Sequence, residues 1–148
     1  MSIKHLIIFA AFGLTLVLAV SLKRAKRAAY ELPDGIEFYI GDIRTTFQCP
    51  GAGFYADVDN NCQLFHICAR NEFPNGKVEM AHYTFACGNQ TVFSQYSMTC
   101  AHPSEAIPCS SSPDFYYLNE LLGLSDQPLH RQEDVDRAAP YFGARRQK

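Results

Sequence analysis

Apolar and aromatic residues between positions 47 and 109 occur in short runs, which turn-forming residues separate. Three runs are strand-like, at residues 63–67, 81–86 and 91–94, and no segment keeps the 3.6-residue period of a long helix. The turn-forming stretches between and beside these runs are residues 57–61, 71–77 and 88–89. The pattern predicts short antiparallel hairpins.

The pattern on either side of the hairpins is weaker. Residues 36–40 predict one further short strand, which Gly41 would stop. After the hairpins, a short helix is predicted to begin at Ser112-Pro113 and to end at Gly123. Its apolar face would carry three side chains at helical spacing: Phe115, Leu118 and Leu122. Residues 125–148 are polar, charged and unpatterned, which is typical of a disordered tail.

All six cysteines lie in the hairpin region: Cys49, Cys62, Cys68, Cys87, Cys100 and Cys109. A domain of about 60 residues buries only about 60 % of the surface of its unfolded chain, so cross-links have to supply stability that packing cannot. The fold class predicted is therefore a small disulfide-rich, mainly β module with disordered flanks. Six cysteines permit fifteen pairings, and their spacing alone does not choose among them.

The N-terminal residues resemble a targeting segment. A short basic stretch precedes an apolar run from Leu6 to Val20, and small residues follow, which predicts a signal peptide at residues 1–21. A short membrane anchor is the alternative, but the positive-inside rule would then place the cysteines in a reducing cytosol. Residues 22–46 are interpreted as a basic, propeptide-like segment and linker. The sequence Arg24-Ala25-Lys26-Arg27 has the form that furin-like convertases cut after Arg27, although it also suits a solvated basic patch.

Charge argues against two classes of partner. The formal net charge is −2, but without residues 1–27 the chain keeps eight basic and fifteen acidic residues, a charge of −7. An acidic chain is poorly suited to nucleic acid or to anionic membrane surfaces, so no nucleic acid and no stable membrane association are expected.

Three motifs carry a resemblance to a known family. They are Gly53-Phe54-Tyr55-Ala56-Asp57, Cys62-Gln63-Leu64-Phe65-His66-Ile67-Cys68 and Cys87-Gly88-Asn89-Gln90-Thr91-Val92-Phe93. Residues 47–109 resemble the chitin-binding type-2, or peritrophin-A, domain. Beyond the last cysteine, Tyr117-Leu118-Asn119-Glu120-Leu121-Leu122-Gly123 is similar to the tail of single-domain arthropod cuticular proteins analogous to peritrophins. One departure is that Ala101-His102-Pro103 stands where similar proteins carry an aromatic residue.

The resemblance implies a pairing, a ligand and a location. The implied disulfides are Cys49–Cys68, Cys62–Cys109 and Cys87–Cys100. The implied function is secreted, non-catalytic binding of chitin or another N-acetylglucosamine polymer in cuticle or an apical extracellular matrix. We expect the acidic flanks, residues 31–42 and 126–136, to contact other matrix proteins or cations.

Aromatic rings suit the C–H faces of sugars, and amide or carboxylate groups suit their hydroxyls. The candidate chitin-binding residues are Tyr55, Asp57, Phe65, Tyr83, Asn89, Phe93 and Tyr96. Each ring could instead belong to the hydrophobic core, and this interpretation is strongest for Phe65 and Phe93. The tyrosines are the better surface candidates because their hydroxyls need water or a partner. Asp57 could simply cap the turn that follows it.

Other chemistries find less support. No cysteine or histidine spacing resembles a zinc site, and no cofactor is expected. The module leaves little room for a pair of catalytic carboxylates in a cleft, so no enzymatic activity is expected. The alternative from another class is a small secreted cystine-rich ligand or protease inhibitor. In either case Asn89-Gln90-Thr91 is an N-glycosylation sequon.

Overall fold

The structure of the protein, a computed structural model, describes residues 28–143. The predicted signal peptide at residues 1–21 and the predicted processing site at Arg27 lie outside the described residues. Within the described part of the chain, no helix is long and apolar enough to cross a lipid bilayer.

Two antiparallel sheets form the centre of the fold. The larger sheet has the order β1 (Gly53–Ala56), β2 (Leu64–Glu72) and β3 (Val78–Ala86). The smaller sheet pairs β4 (Val92–Ser94) with β5 (Thr99–Ala101). The predicted mainly β class and its hairpins are thus confirmed, while β1 and β5 were not predicted from the sequence.

The β2–β3 hairpin is longer than the apolar runs indicated. The strands pair from Leu64 opposite Ala86 as far as Glu72 opposite Val78. Gly76 has a φ of 77°, and the Lys77 amide donates to Oδ1 of Asn75, so this turn has the left-handed geometry and side-chain contact that Gly and Asn favour. The polar end of the hairpin is exposed, which is why hydrophobic periodicity did not detect it.

Three disulfides hold the strands to the segments around them. Cys49 is bonded to Cys68, Cys62 to Cys109 and Cys87 to Cys100. These pairs are the ones that the resemblance implies, and the described residues contain no free cysteine. They attach the N-terminal segment to β2, the segment after β5 to the turn before β2, and the end of β3 to β5.

The segment before the hairpins is helical where a strand was predicted. A 3-10 turn at Ala28–Tyr30 is followed by the one-turn helix α1 (Glu37–Ile40). The prediction of a strand at residues 36–40 is wrong, because these residues make local hydrogen bonds and pair with no strand. Gly41 does end the element, with a φ of 82° that disfavours residues with a Cβ.

A 3-10 helix follows the last cysteine and spans Cys109–Leu121. It starts earlier than predicted, and Ser112 is buried inside it, with Oγ 3.6 Å from Sγ of Cys62, instead of capping its first turn. A 3-10 helix has three residues per turn, so Phe115, Leu118 and Leu121 lie on one line facing the core. The predicted period of 3.6 placed Leu122 there instead.

The C-terminal helix α2 (Gln132–Gly143) lies within the stretch predicted to be disordered. Its first turn is stabilised because the Arg131 amide donates to Oδ2 of Asp134, as in half of a capping box. Ala138 is buried against Phe115 and Leu118 in one core cluster. A second cluster lies under the smaller sheet and is built around Ala56, Cys62 and Phe93.

Candidate functional site

The two faces of the larger sheet differ in what covers them. On one face, His66 on β2 and His82 and Thr84 on β3 lie beneath the N-terminal segment. On the other face, Phe65 of β2 lies opposite Phe85 of β3, and Tyr83 lies two residues along the same strand. Because side chains alternate along a strand, the sequence segregates histidines to one face and aromatic rings to the other.

Three of the candidate binding residues are in the interior. The exposed fractions of Tyr55, Asp57 and Phe93 are 5 %, 1 % and 2 %. The Tyr55 hydroxyl donates to the carbonyl of Ala52, and its ring packs edge-on against Tyr116 at a centroid distance of 5.0 Å. The expectation that Tyr55 lies on the surface is therefore wrong, and we correct the roles assigned to Asp57 and Phe93: none of these side chains is available to a polymer outside the protein.

Tyr96, another candidate, is partly covered by other residues. Its ring stacks on His130, with centroids 4.0 Å apart and an angle of 13° between the planes. The His130 Nε2 atom lies at hydrogen-bond distance from the Tyr96 carbonyl. The residues before α2 thus cover one face of Tyr96, and burial raises the pKa of its hydroxyl.

Aromatic side chains remain exposed on the open face of the larger sheet. Tyr83 is 48 % exposed and Phe85 is 45 % exposed. Phe65 is half-buried between Phe85 and the buried Phe93, with ring centroids at 5.5 Å and 4.6 Å and nearly parallel planes. We call Phe65, Tyr83 and Phe85 the aromatic surface. Of these, Phe65 and Tyr83 were candidates, whereas Phe85 was missed although its alternation with Tyr83 was visible in the sequence.

A hydrogen-bonded row runs beneath the N-terminal segment on the opposite face. Oδ2 of Asp57 lies 2.9 Å from Nε2 of His66, and Nδ1 of His66 lies 3.0 Å from Oγ1 of Thr84 and 2.9 Å from Nε2 of His82. The Thr84 hydroxyl donates to the carbonyl of Ala29. The row therefore connects the turn before β2 to the residues that follow the predicted processing site.

Burial, hydrogen bonds and nearby charges shift the pKa values of groups in and near the row. Burial of the Asp57 carboxyl acts to raise its pKa, but hydrogen bonds from His66 and Asn60 outweigh it and the pKa is lowered. Burial lowers the pKa of His82, and the nearby His66 lowers it further against the opposing charge of Asp57. Burial raises the pKa of Tyr116 to about 12.

The aromatic rings of the N-terminal segment close this row from above. Phe47 stacks on His66 at a centroid distance of 3.9 Å, and Tyr30 packs edge-on against His66 and His82. The Phe47 amide donates to the Tyr30 hydroxyl. Asp57 also caps the 3-10 turn Val58–Asn60 by accepting from the Asn60 amide, which is the structural role that the sequence left open for it. Among residues 28–143, no three side chains of His, Cys, Asp or Glu are grouped to hold a metal ion.

Fold and disulfides together define a small cystine-stapled module, and comparison with known proteins shows which family model it matches. Residues 49–109 match the family model described as the Chitin binding Peritrophin-A domain. No solved structure gives a significant match to the chain.

Two curated relatives are named as toxins. U-scoloptoxin(01)-Er1a of Ethmostigmus rubripes is 32 % identical over 75 residues, which cover 49 % of each chain. U-scoloptoxin(01)-Cw1a of Cormocephalus westwoodi is 31 % identical over 71 residues, which cover 47 % of this chain and 53 % of that protein. The chain thus spans about half the length of these relatives.

Proposed function

We propose that this chain is a secreted, non-catalytic protein that binds chitin or another N-acetylglucosamine polymer in cuticle or a related apical matrix. The observation that supports the proposal most directly is the aromatic surface. It lies in the part of the chain that matches a chitin-binding family model, and two of its three rings, Tyr83 and Phe85, are exposed.

The geometry of the aromatic surface suits a linear sugar polymer. Tyr83 and Phe85 are alternate residues of β3, so their side chains emerge about 7 Å apart on the same face. Phe65 supports Phe85 from the neighbouring strand by stacking, so that ring is held in place before a ligand arrives. Rigid rings lose little conformational entropy on binding, and their faces attract the C–H groups of pyranose rings.

The mechanism that we propose is passive attachment. One domain with one surface holds one polymer segment, so cross-linking of fibres would require self-association or a partner. The acidic flanks at residues 31–42 and 126–136 are the segments that we assign to contacts with other matrix proteins or cations. Three disulfides suit a protein that folds and works in an oxidising compartment.

Retention on crystalline chitin tests the proposal. The double variant Tyr83→Ala/Phe85→Ala should lose most of the retention of the wild-type chain, because it removes both exposed rings. Phe38→Ala is the matched control, since Phe38 is 87 % exposed but lies on α1, away from the aromatic surface. Equal retention of the wild-type chain and the double variant would contradict the proposed surface, and no retention of the wild-type chain would contradict the function.

A secreted cystine-rich ligand is the second candidate function, and the names of the two relatives favour it. In that case the exposed rings would contact a receptor or a protease instead of sugar. Binding to cells or to proteases that persists when the wild-type chain fails to bind chitin would support this alternative over the first.

A further inference from the structure

The sequon Asn89-Gln90-Thr91 lies in the turn between β3 and β4. Asn89 and Gln90 are exposed, and Gln90 has a φ of 63°, which bends the chain sharply. The Thr91 hydroxyl donates to the Gly88 carbonyl at 2.7 Å, and the Thr91 amide donates to the same oxygen. These two hydrogen bonds stabilise the turn, while the side-chain amide of Asn89 remains accessible.

A cleft of about 360 Å³ opens beside this turn. One wall is apolar and comes from the N-terminal segment, with Pro33, Ile36, Tyr39 and Ile40. The other wall includes the polar residues Gln63 and Asn89. The apolar wall lies outside residues 49–109, the part of the chain that the family model matches.

The cleft has the chemistry of a site for one N-acetylated sugar. Tyr39 is 68 % exposed, so its ring is open to the C–H groups of a pyranose. Ile36 and Ile40 suit the methyl group of an acetamide, and Gln63 can pair with its polar atoms. The volume is at the small end of the roughly 300–1,000 Å³ that ligand pockets occupy, which fits a single sugar unit better than a polymer.

We propose that Asn89 carries an N-linked glycan whose first N-acetylglucosamine packs in this cleft against Tyr39. Glycosylation joins Nδ2 of Asn89 to the anomeric carbon of an oligosaccharide donor linked to a lipid diphosphate. The bond between that carbon and the phosphate oxygen breaks, the lipid diphosphate leaves, and Nδ2 gives up one proton. The attached sugar then meets Tyr39 intramolecularly, at an effective concentration on the order of millimolar, so a weak contact suffices.

The inference is independent of the proposed function and gives the N-terminal segment a role. Ala86 lines the cleft, whereas its neighbour Phe85 belongs to the aromatic surface, and adjacent residues of a strand face opposite ways. A glycan docked in the cleft therefore leaves the aromatic surface open. It would also attach residues 33–40 to the domain through a contact that the protein chain alone does not make.

The test compares thermal unfolding of secreted protein in three states: with intact high-mannose glycan, trimmed to one sugar by endoglycosidase H, and deglycosylated by peptide N-glycosidase. Mass spectrometry measures occupancy of Asn89. We expect the one-sugar form to keep the midpoint of the intact form and complete removal to lower it by about 3–5 °C. Because complete removal converts Asn89→Asp, the unglycosylated Asn89→Gln variant has to show the same loss.

Variants of α1 decide where the sugar lies. Tyr39→Ala should abolish the difference between the one-sugar and sugar-free forms, and Tyr39→Phe should keep it because only the ring is needed. Phe38→Ala, a more exposed ring that does not line the cleft, should also keep it. An unoccupied Asn89 would overturn the modification, and an equal loss in the wild-type and Tyr39→Ala proteins would overturn the docking.

Discussion

The carboxylate of Asp57 and the imidazole of His66 lie 2.9 Å apart, with their side chains 2 % and 0 % exposed. Asp57 directly follows β1, and His66 is on β2, so the pair joins two strands beneath the N-terminal segment. The same carboxylate accepts from the side-chain amide of Asn60 at 2.6 Å. One buried group therefore holds both a turn and a sheet contact.

Removing Asp57 should destabilise the fold far more than removing its exposed neighbour. Asp57→Ala leaves His66 buried without its acceptor and the Asn60 backbone amide without its own, while the Asn60 side chain keeps the Arg44 carbonyl. The free energy of unfolding should therefore fall by about 3–5 kcal/mol. Urea denaturation with the disulfides intact measures this loss. Asp59→Ala is the control and should cost less than about 1 kcal/mol, because its carboxylate is on the surface. Similar losses for both variants would contradict the assigned role of Asp57.

Acid should destabilise the folded state in two stages. The pKa of His82 is lowered in the folded state, so the unfolded chain binds its proton more tightly and stability falls as the pH drops below about 6.5. The pKa of Asp57 is also lowered, so its contribution is present above about pH 3.8 and is lost on further acidification. Unfolding measured from pH 7.5 to pH 3 should show both stages, and His82→Gln should remove the first. A profile unchanged by His82→Gln would contradict the assignment.

The N-terminal segment should be the first part of the structure to open in mild acid. Tyr30 and Phe47 pack on His82, and a charged imidazole disfavours that desolvated position. Hydrogen exchange corrected for intrinsic rates should therefore become faster in residues 28–48 at pH 5 than at pH 7.5, while β2 stays protected. Uniform loss of protection across both regions would show that the segment does not open separately.

Asn119 should stabilise the free edge of the larger sheet. Its side chain accepts from the Phe54 amide at 2.8 Å and donates to the Phe54 carbonyl at 3.0 Å, as a neighbouring strand would. Asn119→Ala removes the partner of a half-buried amide and should cost about 1–3 kcal/mol of unfolding free energy. Glu120→Ala, at an exposed neighbouring position, should be nearly neutral in the same urea titration. Gly53→Ala should resemble Asn119→Ala, since a Cβ at Gly53 would lie 2.4 Å from Oδ1 of Asn119.

Each disulfide should add to the free energy of unfolding by an amount that increases with the length of the loop it closes. The Cys62–Cys109 bond joins residues 47 apart and the Cys87–Cys100 bond joins residues 13 apart. Loop-closure entropy predicts losses of about 4 kcal/mol and about 3 kcal/mol when each pair is replaced by alanine. Guanidinium denaturation of the two double variants measures the difference. A larger loss for the shorter loop would show that chain entropy does not dominate.

Local patterns predicted what depends on near neighbours. The short strand-like runs at residues 63–67 and 81–86, with turn residues between them, predicted β2 and β3. The prediction succeeded because these two strands are neighbours in the chain and pair with each other. The turn residues at 57–61 predicted the capped turn at Val58–Asn60. Helix α2 was not predicted because few of its residues are buried, namely Asp134 and Ala138. Ala138 packs in a core cluster with Phe115 and Leu118, which are distant in the chain.

The candidate site required the structure, and Tyr55 shows why. A tyrosine on a strand next to a turn is as suited to the surface as Tyr83, and nothing within a few residues of either distinguishes them. Tyr55 is buried because Phe47 and Tyr116, from segments before and after it in the chain, close over it. Tyr83 is 48 % exposed because the segments within residues 28–143 leave its side chain uncovered.

By itself the sequence determined that short hairpins and six cysteines would form a small cross-linked module, since strand period, turn chemistry and thiol count are local properties. Only the tertiary structure decided which rings face solvent, which carboxylate is buried beside a histidine and which asparagine completes an edge strand. Each of those depends on contacts between residues that are distant in the chain, and burial is a property of the covering segment as much as of the residue covered.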